Sequence, residues 1–284
     1  MYLYVKMGKG TKIFFGIFGG IILLLLLGGV WFYLTFYATG PLAVLFIEQG
    51  TVQYKSYDGE WDSASSGMKL NQGDSLKTLE DSKAKIILSD SVMRLDAQTE
   101  ITLDTLNQEK ISLTQSVGKT WTRLLKISGI KEYEVSTPNA IATVRGTGFS
   151  VDAGEEQTEV KVAEGSVEID SYKEKAVVEE NKEIIIQKDD INLEEKEEDI
   201  VKDQWINENL ELDAQHLREV KEKYIEKYGF LIEKAQSQYG LTDEQVEELI
   251  DGWLAGKYSI QEAIATGTIP PEAVKLIPQE LRRY

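Results

Sequence analysis

Hydrophobic and polar positions divide the chain into three consecutive regions. Residues 13–37 run for 25 residues without a formal charge. As a helix this run would be about 37 Å long, enough to cross a hydrocarbon core of about 30 Å. Apolar residues then alternate with polar ones in short runs between residues 44 and 193, and from Asp203 onward they recur every three or four positions. We therefore expect a transmembrane helix, an all-β domain and a helical unit, in that order.

The flanks of the apolar run predict its orientation. Residues 1–12 contain three lysines and no acidic residue. The positive-inside rule then places residues 1–12 in the cytoplasm, residues 13–37 in the cell membrane and the bulk of the chain outside. The length of the run favours an uncleaved anchor over a signal peptide, whose apolar region usually has about 7–15 residues. Gly16 and Gly20 have the spacing that lets two membrane helices approach closely, so a homodimer is one expectation.

Turn residues interrupt the middle region at short, regular intervals. Runs such as residues 85–88 and 100–103 alternate apolar and polar side chains, and turn signals such as Asp58-Gly59 and Gly73-Asp74 separate them. This spacing favours an all-β sandwich, barrel or roll without βαβ units. The charge run that follows has no apolar period, so residues 194–202 are expected to form an acidic linker.

The C-terminal region, residues 203–284, is predicted to be an all-α unit. Its apolar stripe steps by three and four residues, which keeps one face of a long helix apolar; the stripe consists of Leu217, Val220, Tyr224, Tyr228, Leu231, Ala235 and Tyr239. Capping boxes at Thr242/Gln245 and Ser259/Glu262 begin two further helices. The tyrosine-rich stripe packs either on its own unit or on a helix of a partner, with Tyr224 and Tyr228 as candidate partner contacts.

The stretch YEVSTPNAIATVRGTGFSV, residues 133–151, carries a resemblance to a known family. Together with a "G..L..GD.L.T" run that begins at Gly67 and a "V.V.EG.V" run that ends at Val167, it resembles the FecR family of extracytoplasmic β-domains. The motif residues, expected to be structural, are Thr137, Pro138, Arg145, Gly146, Thr147, Gly148, Phe149, Glu164 and Gly165. The resemblance implies a compact, solenoid-like roll over residues 44–193 that contacts an envelope partner.

Composition limits the chemistry. The formal charge of −17 argues against a nucleic-acid partner, because phosphate contacts need a basic face. Cysteine is absent and His216 is the single histidine, so neither a thiolate nucleophile nor a histidine–cysteine zinc site is available. Pairs of carboxylates are expected by chance among 48 acidic residues. We therefore expect no catalytic residue, no cofactor and no metal, and the protein is not expected to be an enzyme.

Two functions from different classes fit this organisation. The first is a single-pass membrane protein that displays its β-domain outside the cytoplasm as an interaction, signalling or scaffold module for an envelope protein. FecR-like regulators of sigma factors carry a cytoplasmic N-terminal domain, and the 12 residues before the anchor are too few to bury a core. The second is a cell-surface carbohydrate-binding module, in which Trp61 and Trp121, with Tyr54 and Tyr57, would stack on sugar rings.

Overall fold

The structure, a computed structural model, describes residues 42–144, 146–171, 174–188, 194–197, 202–254 and 260–277. The predicted membrane helix at residues 13–37, with Gly16 and Gly20, lies outside these residues, and so does Arg145. No helix within the described ranges has the length and apolar character needed to cross a membrane.

The alternating middle region forms sixteen strands within the described residues. They are β1 Ala43–Gln49, β2 Val52–Lys55, β3 Asp62–Ser63, β4 Ser75–Thr78, β5 Lys83–Leu88, β6 Ser91–Leu95, β7 Glu100–Leu106, β8 Lys110–Arg123, β9 Glu132–Ser136, β10 Ala140–Val144, β11 Gly148–Ala153, β12 Gln157–Glu164, β13 Ser166–Ser171, β14 Lys175–Glu179, β15 Lys182–Gln187 and β16 Glu194–Glu197. Hydrogen bonds connect all of them into one mixed sheet.

The long strand β8 belongs to two halves of this sheet. Its residues 110–117 pair with β7 and β9, and its residues 118–123 pair with β6 and β11. Gly118, with φ of +93°, lies where the partners change. We call the part with β2, β3, β4, β7, β9, β10, β13 and β14 half-sheet 1. The part with β1, β5, β6, β11, β12, β15 and β16 is half-sheet 2.

The two half-sheets share one apolar core. Phe149 of β11 in half-sheet 2 meets Tyr133 of β9 in half-sheet 1 edge to face, with the ring centroids 6.2 Å apart. Leu45 and Ile101, also from opposite half-sheets, are fully buried in the same cluster. Alternation along each strand therefore places one set of side chains in this core and leaves the other set on the outer face.

Strand pairing corrects the expected solenoid-like roll. Every described pair is antiparallel except β8–β9, whereas a β-helical solenoid stacks its coils through parallel neighbours. The physical reason is the shortness of the connections. A two-residue turn such as Ser89-Asp90, between β5 and β6, can only join antiparallel strands.

The acidic linker expected at residues 194–202 is also partly wrong. Glu194–Glu197 forms β16, which pairs antiparallel with β15 at the edge of half-sheet 2. Pairing satisfies the backbone groups of β16, and charged residues are common on edge strands because their side chains can stay hydrated there. A run of charge therefore does not exclude a strand at a sheet edge.

The C-terminal helices follow the sequence pattern closely. They are α1 Gln204–Tyr239, α2 Asp243–Leu254 and α3 Ile260–Ala265, followed by a 3₁₀ turn at Pro271–Leu276. Asp203 caps the start of α1, and Gly240, with φ of +70°, ends it. The predicted capping box before α2 is present, because Thr242 and Gln245 exchange two hydrogen bonds of 2.9 and 3.2 Å. Ser259 of the second box lies outside the described residues.

The close approach at Gly118 yields the first prediction. A Cβ there would lie 2.4 Å from Thr99 Cα, whereas a Cβ at Gly67, with φ of +86°, would meet nothing within 4 Å. We expect Gly118→Ala to lower the free energy of unfolding by roughly 2–4 kcal/mol, and Gly67→Ala by about 1 kcal/mol from the left-handed backbone alone. Urea unfolding of both variants measures the difference. Equal losses would contradict the steric role of Gly118.

Candidate functional site

A row of neighbouring side chains crosses the outer face of half-sheet 2. Arg94 on β6 lies opposite Trp121 on β8, and Trp121 lies opposite Ser150 on β11. Ser150 in turn faces Lys161 on β12, and Lys161 faces Glu183 on β15. Directly opposed residues project to the same face of a sheet. All five are buried although they lie outside the shared core, so another element must cover them.

The covering element is the first part of α1. Its N-cap Asp203 lies 3.4 Å from Lys161 Nζ, and Asp213, ten residues later, contacts Arg94. Ten helical residues span about 15 Å, and the three strand spacings from β12 to β6 span about 14.4 Å. The helix therefore crosses the strands nearly at right angles. Between these ends, Trp205 packs edge to face on Trp121, with ring centroids 6.3 Å apart.

The carboxylate of Asp213 is the polar centre of this interface. Arg94 donates to Oδ1 at 2.5 Å, Trp121 Nε1 donates to Oδ2 at 2.9 Å, and the Nε of Arg123 lies 3.9 Å from Oδ2. Only 2% of Asp213 is exposed. Burial raises the pKa of Asp213, and the Arg94 guanidinium acts in the opposite direction. Such a carboxylate is tolerated in the interface because donors surround it.

The N-cap of α1 is a second charged contact. Asp203 accepts hydrogen bonds from the backbone N–H groups of Trp205 and Ile206. Partial burial raises the pKa of Asp203, but the Ile206 N–H and the ammonium groups of Lys119 and Lys161 outweigh it, so this pKa lies below its ordinary value. The ionised carboxylate therefore holds the start of the helix over β12.

Two of the predicted motif residues, Gly148 and Glu164, lie directly beside this interface. Gly148 begins β11 between Arg123 and Glu164 of its two neighbouring strands. A Cβ on Gly148 would lie 2.6 Å from Arg123 Nη1, so the glycine leaves room for the guanidinium. Arg123 in turn forms a 2.6 Å ion pair with Glu164 and approaches Asp213. The motif thus supports the surface on which α1 docks.

The other motif residues form turns and core contacts. Thr137, before the exposed corner residue Pro138, hydrogen-bonds with Ala140 and accepts a 2.9 Å bond from Thr158. Gly165, with φ of +85°, connects β12 to β13. Two further motif positions, Gly146 and Thr147, lie beside it: an added Cβ at Gly165 would meet Gly146 O at 3.2 Å and the Thr147 side chain at 3.4 Å.

The turn between β5 and β6 contacts the middle of α1. Asp90 accepts hydrogen bonds from Lys223 Nζ at 2.6 Å and from the Tyr224 hydroxyl at 2.8 Å. Its carbonyl oxygen lies 2.8 Å from His216 Nε2. This two-residue turn places Ser89 in the left-handed conformation, with φ of +57°. The helix is thus attached to half-sheet 2 at two places.

The tyrosine-rich stripe folds back on the same chain. Val220 packs with Leu125 and Ile127 of the β-domain and with Leu254 of α2. Tyr224 also meets Tyr228 and Trp253, with ring centroids 5.8 and 5.9 Å apart. The stripe therefore packs on its own unit, one of the two predicted arrangements. The stretch after Trp121, which includes a 3₁₀ turn at Lys126–Ser128, contributes Leu125 and Ile127 to this cluster.

An apolar groove of about 180 Å³ lies between the three helices and the last 3₁₀ turn. It is lined by Tyr224, Tyr228, Leu231, Ile232, Ala235, Leu241, Val246, Leu249, Ile250, Trp253, Ala263, Ile269, Ala273, Leu276 and Ile277. The indole N–H of Trp253 is buried without a hydrogen-bond partner.

Within the described part of the chain, no group of three or more acidic or histidine side chains has the arrangement of a metal site.

The structure separates the residues of the predicted sugar site. Trp121 is fully buried under α1, so its ring cannot stack on a sugar, and this part of the hypothesis is wrong. Trp61 lies on half-sheet 1, where the ammonium groups of Lys55 and Lys77 lie 5.2 and 5.9 Å from its ring centroid. A sugar contact at Trp61 stays a prediction.

The residues that organise this site were missed because they were considered singly. Asp213 falls on the backward extension of the apolar stripe, which runs through Ile206 and Leu210 to Leu217 in steps of four, three and four. An acid at an apolar position of an amphipathic helix indicates a buried partner. Arg123, two residues after Trp121 on the same face of β8, is the corresponding signal in the sheet.

Comparison with known proteins identifies the β-domain. Residues 74–168 match the family described as FecR protein. This stretch is a FecR domain, which confirms the resemblance, and the match is narrower than the predicted residues 44–193. It includes the TPNAIATVRGTGF motif and the sheet positions that contact Asp213.

Two solved structures are similar to part of the chain. They are crystal structures, at 1.65 and 2.50 Å, described as "a putative anti-sigma factor from Parabacteroides distasonis ATCC 8503". Each is 22% identical, with a TM-score of 0.40, over 44% of this chain and 60% of that one. The chain thus spans less than two thirds of the length of that protein. A comparison with curated proteins gives no match.

The buried carboxylate yields the second prediction. Asp213→Ala leaves the buried Arg94 guanidinium and the Trp121 indole N–H without their acceptor, so we expect the free energy of unfolding to fall by roughly 3–5 kcal/mol. Glu211→Ala, on the exposed side of the same helix, is the matched control and should cost less than about 0.5 kcal/mol. Chemical denaturation measures both. A loss below 1 kcal/mol for Asp213→Ala would contradict the proposed weight of this contact.

Proposed function

We propose that the chain is a non-enzymatic, single-pass membrane protein that presents its FecR domain and helices outside the cytoplasm as an interaction and scaffold module for an envelope protein. The observation that carries the proposal is the attachment of α1 to half-sheet 2. Charged contacts at the partly buried Asp203 and the buried Asp213, with the Trp121–Trp205 pair, fix the helix on the domain. A partner would therefore meet one preorganised surface rather than two loosely linked parts.

The apolar groove supports a protein partner for this module. Its walls are almost entirely hydrophobic, and it lies on the helical unit, away from the core of the FecR domain. Apolar concave surfaces are common contact sites. The domain that carries the family motif thus serves as the support, and the helices carry the surface for the partner.

Membrane attachment rests on residues 13–37 and on the lysines before them. The third prediction tests it with a chain tagged at both ends in intact spheroplasts. Protease added outside should remove the C-terminal tag and leave the N-terminal tag protected. Protection of the C-terminal tag in intact spheroplasts, with loss only after lysis, would overturn the proposed topology.

The fourth prediction tests the groove as the partner surface. Ala235→Arg places a long cation at the groove wall, and we expect it to abolish recovery of a specific envelope protein from detergent extracts. Ser237→Arg adds the same side chain at an exposed position two residues away on α1 and should leave recovery unchanged. Circular dichroism checks that both variants are folded. Equal recovery with both variants, or loss with both, would contradict the role of the groove.

A further inference from the structure

Within the described residues, four strands lie at edges of the sheet where a further strand could pair: β1, β3, β14 and β16. The outer edge of β1 is occupied, because Leu45 and Ala43 form backbone hydrogen bonds with residues 67–70. β3 is only two residues long. β16 reads Glu-Glu-Lys-Glu, and pairing it with itself end to end would place Glu194 opposite Glu197, with like charges together. The remaining edge is β14, which pairs only with β13 within the described residues.

The outward backbone groups of β14 follow from its hairpin with β13. Ser171 N donates to Glu174 O at 2.9 Å, so Ser171 and Glu174 form a hydrogen-bonded pair. Such pairs recur at every second position of an antiparallel ladder, and Ala176 and Val178 are the next two on β14. Lys175, Val177 and Glu179 alternate with these two residues. Their N–H and C=O groups therefore point away from β13.

The same three residues project from the outer face of half-sheet 1. Ala176 is partly buried and Val178 fully buried against the core, whereas Val177 is 55% exposed. An exposed valine at the centre of an edge strand is unusual, because charged side chains or proline normally discourage further pairing there. Among the described residues, the strand thus offers the unpaired backbone N–H and C=O groups of three residues around an apolar centre, with one charge at each end.

We propose that β14 pairs antiparallel with β14 of a second copy of this chain, about a two-fold axis at Val177. In that register the backbone groups of Val177 face those of the partner's Val177, and Lys175 faces the partner's Glu179. Two-fold symmetry repeats the ion pair on the other side. A shift by two residues in either direction would instead place a charge opposite Val177, so charge fixes the register.

The charges already present on half-sheet 1 favour this register. Lys175 forms a 2.6 Å ion pair with Asp170 of β13 and is otherwise exposed. In the pair of copies it would lie between that carboxylate and the partner's Glu179. The exposed Val177 side chains would cover each other on the outer face. The result is a sheet that continues across the two copies, with the apolar groove of each copy on a separate element.

The absence of cysteine from the chain allows an unambiguous test. Opposed Cα atoms in an antiparallel ladder lie about 4.5–5.5 Å apart, within the range for a disulfide. The full-length chain in detergent, carrying Val177→Cys, should form a covalent dimer on mild oxidation. Val117→Cys, at a valine that is 44% exposed on β8, is the matched control and should not. Equal cross-linking of the two, or none at Val177→Cys, would overturn the proposal.

Charge reversal then tests the register. In the Val177→Cys background, Lys175→Glu or Glu179→Lys alone places like charges opposite each other twice, and dimer yield should fall roughly tenfold. An equal mixture of the two single variants, with tags of different size, restores opposite charges at both positions and should give the mixed dimer at the parent yield. A mixed dimer no more abundant than either homodimer would overturn this register. The results of the cross-linking and charge-reversal experiments do not depend on membrane orientation or on an envelope partner.

Discussion

The contact between Asp213 and the outer face of half-sheet 2 determines how the rest of the molecule is arranged. A carboxylate that is 2% exposed is costly to bury unless its oxygens are satisfied, and here Arg94 and Trp121 donate to it directly. These two groups sit on adjacent strands at opposed positions, so only a correctly registered sheet brings them together. Helix position and sheet register thus depend on each other.

The docking of α1 explains the structural role of two family-motif residues, Gly148 and Glu164. Gly148 has no side chain to obstruct Arg123, and Glu164 on the far side of Gly148 binds the same guanidinium. The guanidinium therefore extends across β11 instead of pointing into solvent. From there it approaches Asp213 on the helix. Residues with no chemistry of their own thereby support a charged surface, and the helical unit extends from that surface toward the groove. Buried ionic contacts of this kind contribute more to a specific arrangement than to net stability.

The sequence predicted the elements of the fold better than their assembly. Period-2 runs, the apolar stripe from Leu217 to Tyr239 and the capping box at Thr242 identified strands and helices because these signals are local. The FecR resemblance identified the domain. Antiparallel pairing in place of a solenoid, and β16 in place of a linker, depend on which edges meet in space, which no local pattern records.

The site was harder to predict because its members are far apart in the chain. Arg94 and Asp213 are separated by 119 residues, and neither residue alone indicates the contact between them. Trp121 was predicted to contact a sugar, but it is fully buried under α1, so its ring packs inside the protein instead. Asp213 on an apolar stripe was the available signal, and it indicates a buried partner without saying which one.

Amide hydrogen exchange along α1 tests the docking of this helix most directly. If residues 204–217 are held on half-sheet 2 as described, their amides should exchange only through global unfolding, with the same opening free energy as those of β8. The distal turns of α1, beyond Tyr228, should open at lower free energy because they lie beyond the charged contacts with half-sheet 2 and line the groove of the helical unit. Exchange of residues 204–217 at rates typical of an isolated, fraying helix, while β8 stays protected, would contradict the account.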